Sequence, residues 1–331
     1  MMDLRPGTSR SHLSLPAAGR AEAEPGLPGT TIGINQILWA NDDLPELTPP
    51  IDPLTVLDEM HRLGYGGSQL GREFPRGAEL RRALAARELR IAEVYAALEC
   101  GPDGPSEAAL RTGRAKLADL HDADGDVLVA ALPLTPDRIP FAGRADRRDV
   151  PGLSEPGIQA LARLLEVLGR EAAQLGHRLA FHPHAGTYIE TPHEVDRLFA
   201  ATDPTLVGVC LDVGHHLVGG GDPVAAIKTY GERVRHVHLK DVDGAVLSQM
   251  REGTIAGFLD ALRARIFSEI GSGVLDVVGV LGALADLDYR GWIVVEQDTT
   301  WRAPSESAAI SMSVIRFAIR ELAGGGARGA R

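Results

Sequence analysis

A chain of 331 residues with 44% hydrophobic and 24% charged residues has the balance of a globular protein with a large core. Its 45 Asp and Glu outnumber 34 Lys and Arg, and the formal charge of −11 opposes nucleic acid as a partner and leaves a small neutral molecule easier to bind. Two cysteines, Cys100 and Cys210, exclude a disulfide framework, and no stretch nears the roughly 20 apolar residues that span a bilayer, so a cytoplasmic location away from membranes is expected.

Residues 1–29 are rich in Pro, Gly, Ala and Ser and read as a disordered extension, with 30–323 as one domain and 324–331 as a flexible tail. From residue 31, short β-like runs alternate with longer helical ones, the pattern of βα units on a parallel sheet. Strands are predicted at 31–38, 66–70, 90–95, 126–132, 178–182, 206–211, 233–239 and 291–296. Eight of them predict an α/β fold closed as a (β/α)8 TIM barrel.

Helical periodicity is clearest over 158–175, where Leu161, Leu164, Leu165, Leu168, Ala172 and Leu175 recur at three- and four-residue spacing. Helix starts are marked by Asp52-Pro53, Thr191-Pro192 and Asp222-Pro223, each a capping side chain before a Pro, and Thr191 with Glu194 spells a capping box. Two long loops stand out. One, 133–153, carries Arg138, Arg144, Arg147 and Arg148 and is expected to form a lid or a homo-oligomer contact; the other, about 243–275, is expected to shape the pocket.

The chemistry-bearing residues lie where strands end. Asp212 closes the run from Val207 to Leu211, and a buried carboxylate there needs a cation or hydrogen-bond donors, although a capping role would also account for it. His236 and His238 share one side of an extended segment that continues to Lys240, and Glu296 follows Trp292 to Val295. Two carboxylates and an imidazole suit Mn²⁺, Co²⁺, Fe²⁺ or Mg²⁺ better than a thiolate-type Zn²⁺ site. A fourth ligand has to come from strand 5, where His182, His184 and Glu190 compete. A hard ion favours Glu190, leaving His182 and His184 as substrate or proton-transfer groups. At the rim, Asn35, Gln36, Trp39 and Gln69 could hold the hydroxyls of a sugar-like ligand.

These residues resemble the xylose-isomerase-like barrel superfamily, and within it the myo-inosose-2 dehydratase group. The resemblance runs from about residue 31 to 300 and is carried by Trp39-Ala-Asn-Asp-Asp43, FHPHAGTYIET at 181–191, LDVGHH at 211–216, RHVHLKDV at 235–242 and GWIVVEQD at 291–298. It implies a divalent metal, Mn²⁺ or Co²⁺ foremost, held by Asp212, His238 and Glu296. It also implies elimination of water from a cyclic polyol ketone through an enediolate. The superfamily usually places a Glu at the end of strand 5, where this chain has His182, so Glu190 is taken as the fourth ligand. Ser272 stands where similar sequences often carry an acidic residue. His182, His184 or His215 would move protons and Lys240 would stabilise negative charge. A sugar or hydroxypyruvate isomerase or epimerase uses the same machinery and is the nearest alternative; a non-catalytic polyol-binding protein is another. No dinucleotide fingerprint or phosphate loop is legible.

Overall fold

Eight strands form one parallel sheet in the computed structural model of the chain, which describes residues 27–41, 44, 46 and 51–326. They are β1 (Thr31–Ile34), β2 (Gly67–Gln69), β3 (Arg90–Ala97), β4 (Val127–Ala131), β5 (Arg178–His182), β6 (Val207–Asp212), β7 (Val234–Leu239) and β8 (Trp292–Val295). The hydrogen-bonded order is β1-β8-β7-β6-β5-β4-β3-β2, and Gly66 N–H donates to Ile32 O at 2.8 Å, drawing β2 back against β1. The predicted TIM barrel is thus present, each strand close to its expected place. β1 stops at Ile34 rather than 38 because the Asn35 side chain accepts the Ile37 N–H and starts a short 3-10 turn over Gln36–Leu38.

Around the sheet lie α1 (Pro53–Leu63), α2 (Gly77–Ala85), α3 (Glu107–Asp122), α4 (Glu155–Gln174), α5 (Pro192–Ala200), α6 (Val213–Val218), α7 (Pro223–Tyr230), α8 (Gly244–Glu252), α9 (Phe258–Arg263), α10 (Val277–Asp286) and α11 (Pro304–Gly326). The three capping residues read from sequence accept backbone N–H groups at the starts of α1, α5 and α7, and the Thr191–Glu194 capping box is complete. α4 starts at Glu155, ahead of the predicted 158, because Ser154 accepts the Gly157 N–H. None of the described helices is long and apolar enough to cross a membrane. Residues 1–26 of the expected extension and 327–331 of the expected tail lie outside the described residues, as do Asp42 and Asp43. Leu27 is buried, and α11 runs through residue 326.

Strand alternation splits the core in two. Val207, Val209 and Leu211 of β6 and Val237 and Leu239 of β7 face the helices, packing with Leu161, Leu165 and Leu168 of α4. The alternate positions face the barrel interior, where Val127, Val129, Ala180 and Cys210 make a small apolar floor. Cys100 and Cys210 are both free and buried. Cys210 pairs in register with His236 and Asp212 with His238, so polar side chains sit in layers above that floor.

Both long loops close on the carboxyl end of the barrel. In the first, buried Arg138 makes a two-pronged ion pair with Glu194 of α5, 2.7 and 3.0 Å, and donates to Pro151 O at 2.7 Å. In the second, Asp241–Val242 pairs with Phe267–Ser268, and the Asp241 carboxylate gathers the N–H groups of Gly271, Gly273 and Leu275 at 2.8–3.0 Å.

Candidate active site

Four neighbouring strands deliver one side chain each to the top interior layer: His182 from the end of β5, Asp212 from the end of β6, His238 from β7 and Glu296 just past β8. One ligand atom from each can be chosen so that all lie within 4.8 Å of one another. His182 Nε2 is 3.6 Å from Asp212 Oδ2, His238 Nδ1 is 3.8 Å from the same oxygen, and His238 Nδ1 is 2.5 Å from Glu296 Oε2. Asp212 Oδ2, His238 Nδ1 and Glu296 Oε2 are buried and make no hydrogen bond. Such atoms are costly unless something joins them. A site of two carboxylates and two imidazoles, with converging unsatisfied atoms, fits a divalent ion.

The other oxygen of Asp212 serves the fold, since Oδ1 accepts the His215 N–H at 2.8 Å and caps α6. The capping reading of Asp212 is met by this one oxygen, which leaves Oδ2 turned toward the cluster. Gly214 follows from this geometry, because a Cβ there would lie 2.7 Å from Lys240 Cγ and 2.9 Å from Lys240 O. Only glycine lets α6 start this close to β7.

Lys240 is fully buried. Its Nζ lies 3.1 Å from Asp298 Oδ1, 3.3 Å from Asp212 Oδ2, 3.5 Å from Glu296 Oε1, 3.0 Å from His215 Nε2 and 4.5 Å above the Phe267 ring. Burial opposes the ammonium, but the three carboxylates outweigh it and hold Lys240 charged, well above its ordinary pKa. Burial likewise opposes ionisation of Glu296, yet Lys240 and His238 keep its carboxyl at about 2. For Asp212 the same penalty is overcome by Lys240, His215 and His182.

His184 and His215 stack with ring centroids 3.7 Å apart, walled by Phe258 and Phe267. Burial, His182 and Lys240 push the pKa of His184 down to about 3, and burial with His184 and Lys240 lowers that of His215. Both are neutral at physiological pH. His184 Nδ1 is 2.7 Å from Ala185 O, which can only accept, so the proton sits on Nδ1 and Nε2 keeps a lone pair. A cavity of about 410 Å³ opens on this group, lined by His182, His184, Glu296 and Asp298 with Asn35, Ile37, Gln69, Tyr95, Ala97 and Leu132 to Leu134. That size suits a small-molecule ligand. Lys240 and His215 sit behind the lining, and of the rim residues expected from sequence, Asn35 and Gln69 reach it while Gln36 and Trp39 do not.

Glu190 stands apart from the four clustered residues. Its carboxylate accepts Gly143 N–H and Gly186 N–H, each at 2.7 Å, joining the 133–153 loop to the turn after β5. Burial drives its pKa up to about 7, against those two bonds and Arg138. A carboxyl with a raised folded pKa holds extra protons in the folded state, so stability falls as pH rises from about 4.5 to about 7. Urea unfolding should therefore show the wild type losing up to about 3 kcal/mol relative to Glu190→Gln across that window. Parallel pH profiles for the two proteins would contradict this. Sequence reasoning assigned no role to Glu93 or Asp298. For Glu93 the signal was a lone carboxylate inside the apolar run Ile91 to Val94; for Asp298, two-residue spacing from Glu296 in an extended segment.

Comparison with known proteins agrees with the barrel fold. Residues 57–317 match the family described as xylose isomerase-like TIM barrel. The chain is 37% identical over 281 residues to the rhizopine catabolism protein MocC of Rhizobium meliloti, covering 81% of each. It is 33% identical over 273 residues to the inosose dehydratase of Geobacillus kaustophilus, covering 81% of this chain and 87% of the relative. Among solved structures, an L-ribulose 3-epimerase superposes with a TM-score of 0.68 at 14% identity, covering 91% and 98% of the two chains. The 3-keto-D-glucoside 4-epimerase of E. coli gives 0.63 at 18%, covering 87% and 99%. At such identities these two structures share the fold.

Proposed function

Because the chain belongs to the xylose isomerase-like TIM barrel family, with inosose dehydratases among its relatives at 32–33% identity, we propose that it is a metal-dependent hydro-lyase removing water from 2-keto-myo-inositol or a closely related cyclic polyol ketone. The observation that carries the reading is the convergence of His182, Asp212, His238 and Glu296 on one point at the edge of a cavity sized for a six-membered ring. Mn²⁺ or Co²⁺ is the ion we assign to that group. Bound there, it would supply Lewis acidity that favours the enediolate form of the substrate and so eases removal of the adjacent proton.

The chain's own residues would do the rest. Asn35, Gln69 and Asp298 offer donors and acceptors to ring hydroxyls, and Tyr95 adds a flat wall. His184, neutral with its Nε2 lone pair free, takes the proton; negative charge growing beside it raises its proton affinity as the reaction proceeds. Protonated His184 can then return that proton to the departing hydroxyl. Lys240, enclosed by Asp212, Asp298 and Glu296, balances and orients those carboxylates instead of touching the substrate. Phe258 and Phe267 keep water from the stacked imidazoles.

The test is to incubate chelator-stripped protein with 2-keto-myo-inositol, with and without Mn²⁺ or Co²⁺, and follow the product by mass spectrometry. Metal-dependent loss of one water is the expected result. An isomer of unchanged mass would replace this reading with an isomerase, and no conversion with metal bound would replace the substrate or leave a binding protein.

A further inference from the structure

Among the described residues, Glu93 is the one carboxylate of the barrel interior with no part in the scheme above. It lies within β3, on the wall opposite β7, and is fully buried. A carboxylate in such a place is retained only where donors meet it. Here both donors are imidazoles of β7: His238 Nε2 lies 2.8 Å from Glu93 Oε2, and His236 Nε2 closes on the same oxygen. The other nitrogen of His238, Nδ1, faces Asp212 Oδ2 and Glu296 Oε2.

We infer that Glu93 is a positioning residue that reaches across the barrel to hold the His238 proton on Nε2, so that the Nδ1 lone pair points at the Asp212–Glu296 side of the site. A neutral imidazole carries one proton, and of the two nitrogens only Nε2 meets a carboxylate oxygen in hydrogen-bond geometry, Glu93 Oε2 at 2.8 Å. Nδ1 lies close to Glu296 Oε2 without forming a hydrogen bond, which places that proton on Nε2. The ring is fixed in rotation as well. His236 takes the other flank of Oε2 and keeps Glu93 from swinging away. In metal sites generally, a carboxylate on the far nitrogen of a ligating imidazole sets its tautomer and makes the near nitrogen a better donor. The inference rests on the metal reading of the four-residue group. It separates Glu93 from a buried ion pair that merely stabilises the fold, because it ties the residue to the state of one ring.

Glu93→Gln keeps the size of the side chain and loses its charge, so it can offer Nε2 an amide proton and release the tautomer. Calorimetric titration of chelator-stripped full-length protein with Mn²⁺ should show affinity weakened by about 10- to 100-fold. Long-range ¹H–¹⁵N spectra of the metal-free wild type at alkaline pH, with His238 assigned by its own replacement, should show the Nε2–H tautomer, and E93Q should lose it. An Nδ1–H tautomer on wild-type His238 overturns the inference even if E93Q does not fold, and so does an E93Q protein with wild-type Mn²⁺ affinity. Should the wild type bind no divalent ion, the metal reading fails by itself. The wild-type tautomer then decides on Glu93 alone.

Discussion

Replacing Asp212 by Asn is expected to lower kcat/KM for inosose dehydration by about 10³-fold, the scale of losing a principal electrostatic contributor to a transition state, with the fold left intact. The two halves of the result come from the two oxygens of one side chain. Oδ1 caps α6 through the His215 N–H, and Asn caps helices as well as Asp does. Oδ2 is the unsatisfied atom turned toward His182 and His238, and Asn replaces its charge with an uncharged amide. Steady-state kinetics, circular dichroism and a Mn²⁺ titration together check it. D212N retaining activity within tenfold of wild type would remove Asp212 from the site.

Lys240→Met should have the largest effect on stability, a loss of about 3–5 kcal/mol in urea unfolding, as when one partner of a buried charge pair is removed. Asp212, Asp298 and Glu296 would then face one another without the ammonium now 3.1–3.5 Å away. The sign of the pH dependence follows. Asp212 and Glu296 have depressed pKa values in the folded wild type, so they contribute stability above the ordinary carboxylate range that is lost as pH falls toward about 2. The wild type's advantage over K240M should narrow as pH drops below about 4.5. A dication offered to the variant restores positive charge between the same carboxylates, and Mn²⁺ should stabilise K240M more than it stabilises the wild type. Equal stability of the two proteins at neutral pH would show that water reaches these carboxylates.

The strands, the caps and three of the four clustered residues were legible because each is a local pattern: an apolar run, a side chain two positions on, a capping residue before proline. The choice between Glu190 and His182 was not. Charge and hardness argue for the carboxylate, but the turn at Gly186, with φ of +80°, folds Glu190 back onto its own loop, whereas His182 ends a strand pointing inward. Glu93 stands out in the sequence as a lone carboxylate in an apolar run, but its partners do not: it meets β7 across the full width of the barrel, and a separation of that kind leaves no periodic trace in sequence.

The closing strand also sets the order in which this site can come into being. β1 is completed by pairing with β8, Thr31 opposite Trp292, and Glu296 lies just beyond that last strand. Until the ribosome has passed β8, a nascent chain holds His182, Asp212 and His238 on strands with an unpaired edge and no closing carboxylate. Ring closure spans nearly the whole described chain, the kind of long-range contact that forms slowly. Barrel closure and site assembly are therefore one event, and a translation product truncated before β8 would be both open-edged and inactive.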